Sequence, residues 1–134
     1  MIFDTDILIW YFRGNQKARG FISEIPFRER RVSSLCIMEL VQGCRDRQEL
    51  RAVKEFIRDN IAGVIHPDER ISEKASTLLE GHASTDGLRT IDALVAATAL
   101  REDDTLVSAN YKHFKKIAGL DVSKFEPKTL RMGT

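Results

Sequence analysis

The chain has no apolar run approaching the roughly 20 residues needed to cross a bilayer, and no basic segment followed by a long apolar stretch at its start. A membrane span and a secretory leader are therefore not expected, and a soluble, unprocessed cytoplasmic protein is. Cysteine is equally scarce. Cys36 and Cys44, eight positions apart in what reads as one helical region, are too few and too badly placed for a disulfide framework or a zinc site, so reduced thiols are expected. An excess of one charge is also missing. With 21 basic and 20 acidic residues the net charge is +1, which excludes the global field of a protein that coats nucleic acid non-specifically and leaves only local contacts. Repeats, low-complexity segments and linkers are absent as well.

What is present is enough for one core. A length of 134 residues with 43% hydrophobic content suits a single domain over residues 1–134 and is short for two. Residues 1–4 read as a short buried strand, Thr5 to Phe12 as a helix stopping near Gly14, and Gln16 to Glu24 as a second helix ending before Pro26. A basic run, Arg28 to Arg31, leads into a short strand at Val32-Ser33-Ser34, whose Ser33 or Ser34 caps the next helix. That helix, Leu35 to Cys44, repeats Ile37, Leu40, Val41 and Cys44 as a core-facing stripe, with Glu39 just beside it. Asp46 to Asn60 continues helical with Leu50, Val53, Phe56 and Ile57 on one face, and Val64-Ile65 reads as a short buried strand. Pro67 and Asp68 open a helix to about Glu80, followed by a mobile loop over 81–89. Thr90 caps a helix, IDALVAATAL, that is small and apolar nearly all round and so belongs in the middle of the fold. A strand at Thr105 to Ser108, a turn and short helix over Asn110 to Ala118, and a closing strand at Asp121 to Phe125 complete the chain. Strands alternating with helices imply right-handed crossovers and a mainly parallel sheet of four or five strands, in a three-layer α/β/α sandwich.

Three acids stand in apolar surroundings: Ile-Phe-Asp4, Ile-Met-Glu39-Leu and Ile-Asp92-Ala-Leu. Asp92 shares a face with Val95, Ala96 and Ala99, where a lone carboxylate is costly unless it is paired. Each has an ordinary reading when taken singly: Asp4 and Asp92 serve a helix start, and Glu39 is solvated. Together they differ, because each sits at or near a helix start, and in a parallel sheet those starts gather at the carboxyl ends of the strands. Three carboxylates converging there repel one another unless a divalent metal lies between them, and an oxygen-only donor set suits Mg²⁺ or Mn²⁺ rather than zinc.

The succession Ile2-Phe3-Asp4-Thr5-Asp6-Ile7-Leu8, Ser34 to Gly43 around Glu39, Ile91-Asp92-Ala93-Leu94-Val95-Ala96-Ala97-Thr98-Ala99, and Leu106-Val107-Ser108-Ala109-Asn110-Tyr111-Lys112-His113-Phe114 resembles the PIN domain, particularly the VapC-like toxins. The resemblance covers essentially the whole chain. It implies a metal-dependent endoribonuclease in which Asp4, Glu39 and Asp92 hold Mg²⁺ or Mn²⁺ and Thr5 is the small hydroxyl residue beside the first acid. It also implies a 5′-phosphate and a 3′-hydroxyl as products, with Glu39 our choice of base. Relatives usually carry an acid just before the phenylalanine, where this chain has His113; Asn110 matches a position that is Asn or Asp in relatives and offers a neutral oxygen or a hydrogen bond to water. The lost charge predicts weaker metal binding, or activity only at high Mg²⁺ or with Mn²⁺. Asp6 is a further carboxylate, though helical spacing turns it well away from Asp4.

An acidic pocket needs cations around it to hold RNA, and Arg13, Arg89, Lys112, Lys115 and Lys116 form the expected rim, with Thr5 and His113 as further substrate contacts. Single-stranded or looped RNA fits such a pocket best. The resemblance implies a protein antitoxin lying across the groove with a basic side chain near the acids. The apolar early helices, with Ile9, Trp10, Phe12 and Phe21, suggest a homodimer. Two other readings compete: a catalytically degenerate PIN fold serving as a binding module, and a haloacid-dehalogenase-type phosphohydrolase suggested by Asp4-Thr5-Asp6. The latter lacks its later acid pair in the right place, since Asp103-Asp104 precedes a strand.

Overall fold

Ile2 and Phe3 are neighbours in a strand, so their side chains point to opposite faces, and both are fully buried. The same holds for Leu106 and Val107. A strand buried on both faces must be covered on both by helices, which is the condition for a parallel sheet. The computed structural model, which describes residues 1–128, shows this arrangement. Five strands, β1 (Ile2–Phe3), β2 (Arg31–Ser33), β3 (Gly63–Ile65), β4 (Leu106–Ser108) and β5 (Val122–Lys124), pair in the order β3-β2-β1-β4-β5, every pair parallel. Around them run α1 (Thr5–Phe12), α2 (Gln16–Glu24), α3 (Ser34–Gln42), α4 (Arg47–Asn60), α5 (Glu69–Asp86), α6 (Thr90–Glu102) and α7 (Tyr111–Phe114).

The chain lays β2 and β3 on one side of β1 and then crosses over to lay β4 and β5 on the other. The strand order therefore reverses between β1 and β4, and the crevice at their carboxyl ends is where open α/β sheets take ligands. Short polar caps steer the chain into several of the helices there and elsewhere. Asp4 accepts from the Thr5 N–H at 2.8 Å to start α1, Ser33 from Leu35 at 3.2 Å to start α3, and Asp68 from Ile71 at 2.8 Å to start α5. Helix α6 is buried along Ala93, Val95, Ala96, Ala97, Thr98 and Ala99, and its small side chains let it pack closely in the interior. Thr98, the polar member of that row, satisfies its hydroxyl on the Leu94 carbonyl at 2.7 Å.

Several expectations need correction. Residues 81–86, read as loop, extend α5 by more than a turn, because the i,i+4 pair His82–Asp86 (2.7 Å) supports the helix and only Gly87, with φ +71°, ends it. Thr90 is the first residue of α6 rather than its cap; Arg89 holds the cap position. Val64 is 37% exposed, since β3 is an edge strand paired only with β2. Val41 faces outward at 41% exposure, the inward row of α3 being Cys36 and Leu40. The early aromatics are less bare than expected: Phe12 packs edge-on against Phe56 at 5.2 Å and Phe21 against Phe125 at 6.1 Å. Among the described residues, no helix is long and apolar enough to cross a membrane.

Candidate active site

Asp4 is the last residue before α1 and still belongs to the sheet, with extended dihedrals (φ −73°, ψ 160°) and its N–H on the Val107 carbonyl at 2.9 Å. Its Oδ2 accepts a 2.8 Å hydrogen bond from the Ser108 hydroxyl, which ends β4. The two strands flanking the reversal are thus joined by a side-chain bond at the mouth of the crevice. Asp4 is only 7% exposed. Burial, and then the charge of Asp6, push its carboxyl from an ordinary 3.8 up to about 7, with Asp92 adding to the shift.

Asp6 is not turned away from Asp4, contrary to the expectation from helical spacing. That spacing does not apply, because Asp4 is an extended cap and only Asp6 lies within α1. The Asp6 Oδ2 reaches the β4–α7 turn, accepting from the Ala109 N–H at 2.9 Å and lying 3.2 Å from the same Ser108 Oγ. Its Oδ1 is buried without a hydrogen-bond partner, and burial raises its pKa as well. Ser108 Oγ in turn accepts from the Asn110 N–H at 3.0 Å.

Glu39, on α3, receives the Thr5 hydroxyl at 2.6 Å. This bond ties α1 to α3 and fixes one carboxylate oxygen, while Glu39 itself remains exposed. Thr5 is buried. Asp92, third residue of α6, accepts from the Arg89 N–H at 3.4 Å and lies 3.6 Å from His113 Nδ1. The long bond to Arg89 is the helix-start role weighed for Asp92, and it occupies only Oδ2. Asn110 Nδ2 is 2.6 Å from that same His113 nitrogen, so Asn110, His113 and Asp92 form one row. Cys36, beneath Thr5, has its thiol pushed up to about 12, chiefly by burial and then by the charge of Asp4; it is an inert thiol.

The expected rim residues are at the surface. Arg13 lies over the Trp10 ring at 5.7 Å, Arg89, Lys112 and Lys115 are exposed, and Lys116 approaches Asp86 at 3.5 Å. Among the described residues, no lysine or arginine forms an ion pair with Asp4, Asp6, Glu39 or Asp92. Beside Glu39 opens a groove of about 690 Å³ between α1, α3 and α4, with Ile9, Phe12, Leu40 and Val53 among its lining.

An oxygen-rich, cation-free cluster with an orphaned buried carboxylate oxygen is the donor set that a hard divalent ion fits. Among the described residues, no three His, Cys, Asp or Glu side chains form a ready-made cage. Two residues that shape this corner, Ser108 and Asp6, lay outside the expected site. A small hydroxyl at the carboxyl end of a strand, two residues before Asn110, was the available signal for Ser108.

Comparison with known proteins places the chain as a whole. A curated relative, Ribonuclease VapC19 of Mycobacterium tuberculosis (strain CDC 1551 / Oshkosh), is 29% identical over 116 residues, spanning 84% of this chain and 90% of that protein. A toxin-antitoxin complex from Klebsiella pneumoniae superposes with a TM-score of 0.76 at 25% identity, covering 96% of this chain and 98% of that one. DNA-bound VapBC from Salmonella typhimurium does so with a TM-score of 0.77 at 19% identity, over 92% of this chain and 96% of that one. The family model for the PIN domain matches residues 1–120, and the chain accordingly belongs to the PIN domain family.

Proposed function

We propose that the protein is a divalent-metal-dependent endoribonuclease acting as the toxin of a toxin–antitoxin pair. The observation that carries this reading is the carboxylate cluster around Asp4, assembled without a neutralising cation at the point where the strand order reverses. Membership of the PIN family, a curated relative named as a ribonuclease, and similar structures that are toxin–antitoxin complexes support it.

Asp4 and Asp92 would hold Mg²⁺ or Mn²⁺, with Glu39 contributing directly or through water. The bound ion would supply a water of lowered pKa and neutralise charge on the scissile phosphate. Glu39, oriented by Thr5, takes the proton of the attacking water. The water oxygen bonds to phosphorus as the bond from phosphorus to the 3′-oxygen breaks, and the departing oxygen takes a proton from solvent, leaving a 5′-phosphate on one product and a 3′-hydroxyl on the other. Ser108 keeps Asp4 in place throughout. Asn110 offers a hydrogen bond to water or phosphate, and Arg13, Arg89, Lys112 and His113 line the approach of a single-stranded or looped RNA. The groove beside Glu39 suits an antitoxin segment with apolar side chains and one basic group directed at the acids. A homodimer would bury the exposed apolar side chains.

The deciding experiment is Mg²⁺- or Mn²⁺-dependent cleavage of structured RNAs by wild type and Asp92→Asn. Loss of cleavage in the variant is expected, and equal cleavage would sink the proposal. His113, in place of the usual acid, favours a second reading, a binding module without activity. Manganese calorimetry separates the two: no heat with wild type, and no change on Asp4→Asn, would favour the module.

A further inference from the structure

We infer that Asp6 is the fourth carboxylate of the cation pocket, filling the role left open by His113. The inference rests on the metal-dependent reading above and concerns which residues carry its charge.

Asp4 and Asp6 each bring an oxygen within hydrogen-bonding distance of one hydroxyl, Ser108 Oγ, at 2.8 and 3.2 Å. A serine hydroxyl has a single proton and can donate to only one of them. The shorter contact is to Asp4, so Asp6 has at best the longer share of that hydroxyl. The other Asp6 oxygen is buried with no partner at all. Among the described residues, no lysine or arginine pairs with either acid. A carboxylate so placed is costly to bury unless a cation offsets it.

The competing explanation is that Asp6 anchors the β4–α7 turn through the Ala109 N–H at 2.9 Å. That bond needs an acceptor and not a charge. An asparagine amide oxygen would serve equally well, so the negative charge is surplus to the anchoring role. It has a use in a pocket whose α7 side presents Asn110 and His113 rather than carboxylates.

The test is calorimetric titration of Mn²⁺ into wild type, Asp6→Asn and Asp6→Asn/His113→Asp at pH 7.5, with melting temperatures in chelator. Asp6→Asn should weaken Mn²⁺ binding about tenfold or more, the scale of removing a residue that supports a metal site, while melting at the same or a higher temperature. Restoring an acid at position 113 should recover most of the affinity. Equal Mn²⁺ affinity in wild type and Asp6→Asn would overturn this inference alone, whereas a wild type that takes up no Mn²⁺ would overturn the metal-dependent reading with it. Should Asp6→Asn not fold, a wild-type crystal soaked in Mn²⁺ decides. An anomalous peak with the Asp6 carboxylate as ligand, or one water away at roughly 4–5 Å, supports the inference; a peak farther off overturns it.

Discussion

The two ends of the sheet treat charge in opposite ways. At the amino-terminal end, Arg31 pairs with Asp104 at 3.1 Å and with Glu102, and the Met1 ammonium lies 3.2 Å from Asp104. Acids there meet cations, and the strands β1, β2 and β4 are clamped where they begin. At the carboxyl end, Asp4 and Asp6 meet at Ser108, His113 stands beside Asp92, and among the described residues no lysine or arginine pairs with these acids or with Glu39. One end spends its charges on the fold and the other holds them against it. A buried carboxylate such as Asp4, left without a cation, marks a candidate ligand site.

The comparison breaks most visibly at Asp4. Replacing it with asparagine should reduce RNA cleavage by at least about 100-fold, the order expected when a metal ligand is lost, yet raise the melting temperature in chelator. A variant that lost both activity and stability would show that Asp4 serves the fold, as Asp104 does.

Next in size is the response to pH without metal. Asp4 titrates near 7 in the folded chain against 3.8 ordinarily, so across that window the folded state retains a proton that the unfolded state has released. Stability in chelator should therefore fall as pH rises from about 4 to about 7 and level off above. Saturating Mn²⁺ should flatten or reverse the slope, because the ion competes with the proton. Denaturant melts across this range, with and without Mn²⁺, would check both signs, and a stability that rose with pH in chelator would contradict the assignment.

At the other end, Arg31→Ala leaves Asp104 and Glu102 without their guanidinium and should cost about 1–2 kcal/mol, since these groups are partly screened by water. Mn²⁺ affinity should not move; if it does, the ends are coupled through the short strands. The smallest expected effect belongs to Thr5→Val, which removes the hydroxyl bond to Glu39 and should cost about 1 kcal/mol. Cleavage should drop modestly in turnover rather than substrate affinity, because the variant loosens Glu39 without removing it.

Much of the architecture was legible in the chain. Thr5 to Phe12 and Gln16 to Glu24 are helices with the expected bounds, because Asp4 and Asn15 cap them and Gly14 and Pro26 stop them. Local chemistry decides such boundaries. Residues 81–86 misled, since Ser, Thr and Gly in sequence resemble a loop, and only the His82–Asp86 pair and packing against α6 hold them helical. Asp6 misled for a different reason: its partner, Ser108, lies 102 positions away, and no periodicity reports on such a contact.

By itself, then, the sequence determined the alternation of strand and helix, the sheet class, and the identity of Asp4, Glu39 and Asp92 as acids in apolar settings, because periodicity and capping are properties of neighbouring residues. Tertiary structure alone decided that β1 and β4 lie side by side, and hence that the Ser108 hydroxyl falls between Asp4 and Asp6. Proximity across the sheet depends on strand order, and the order of strands is fixed by crossovers that bury both faces rather than by any local run of residues.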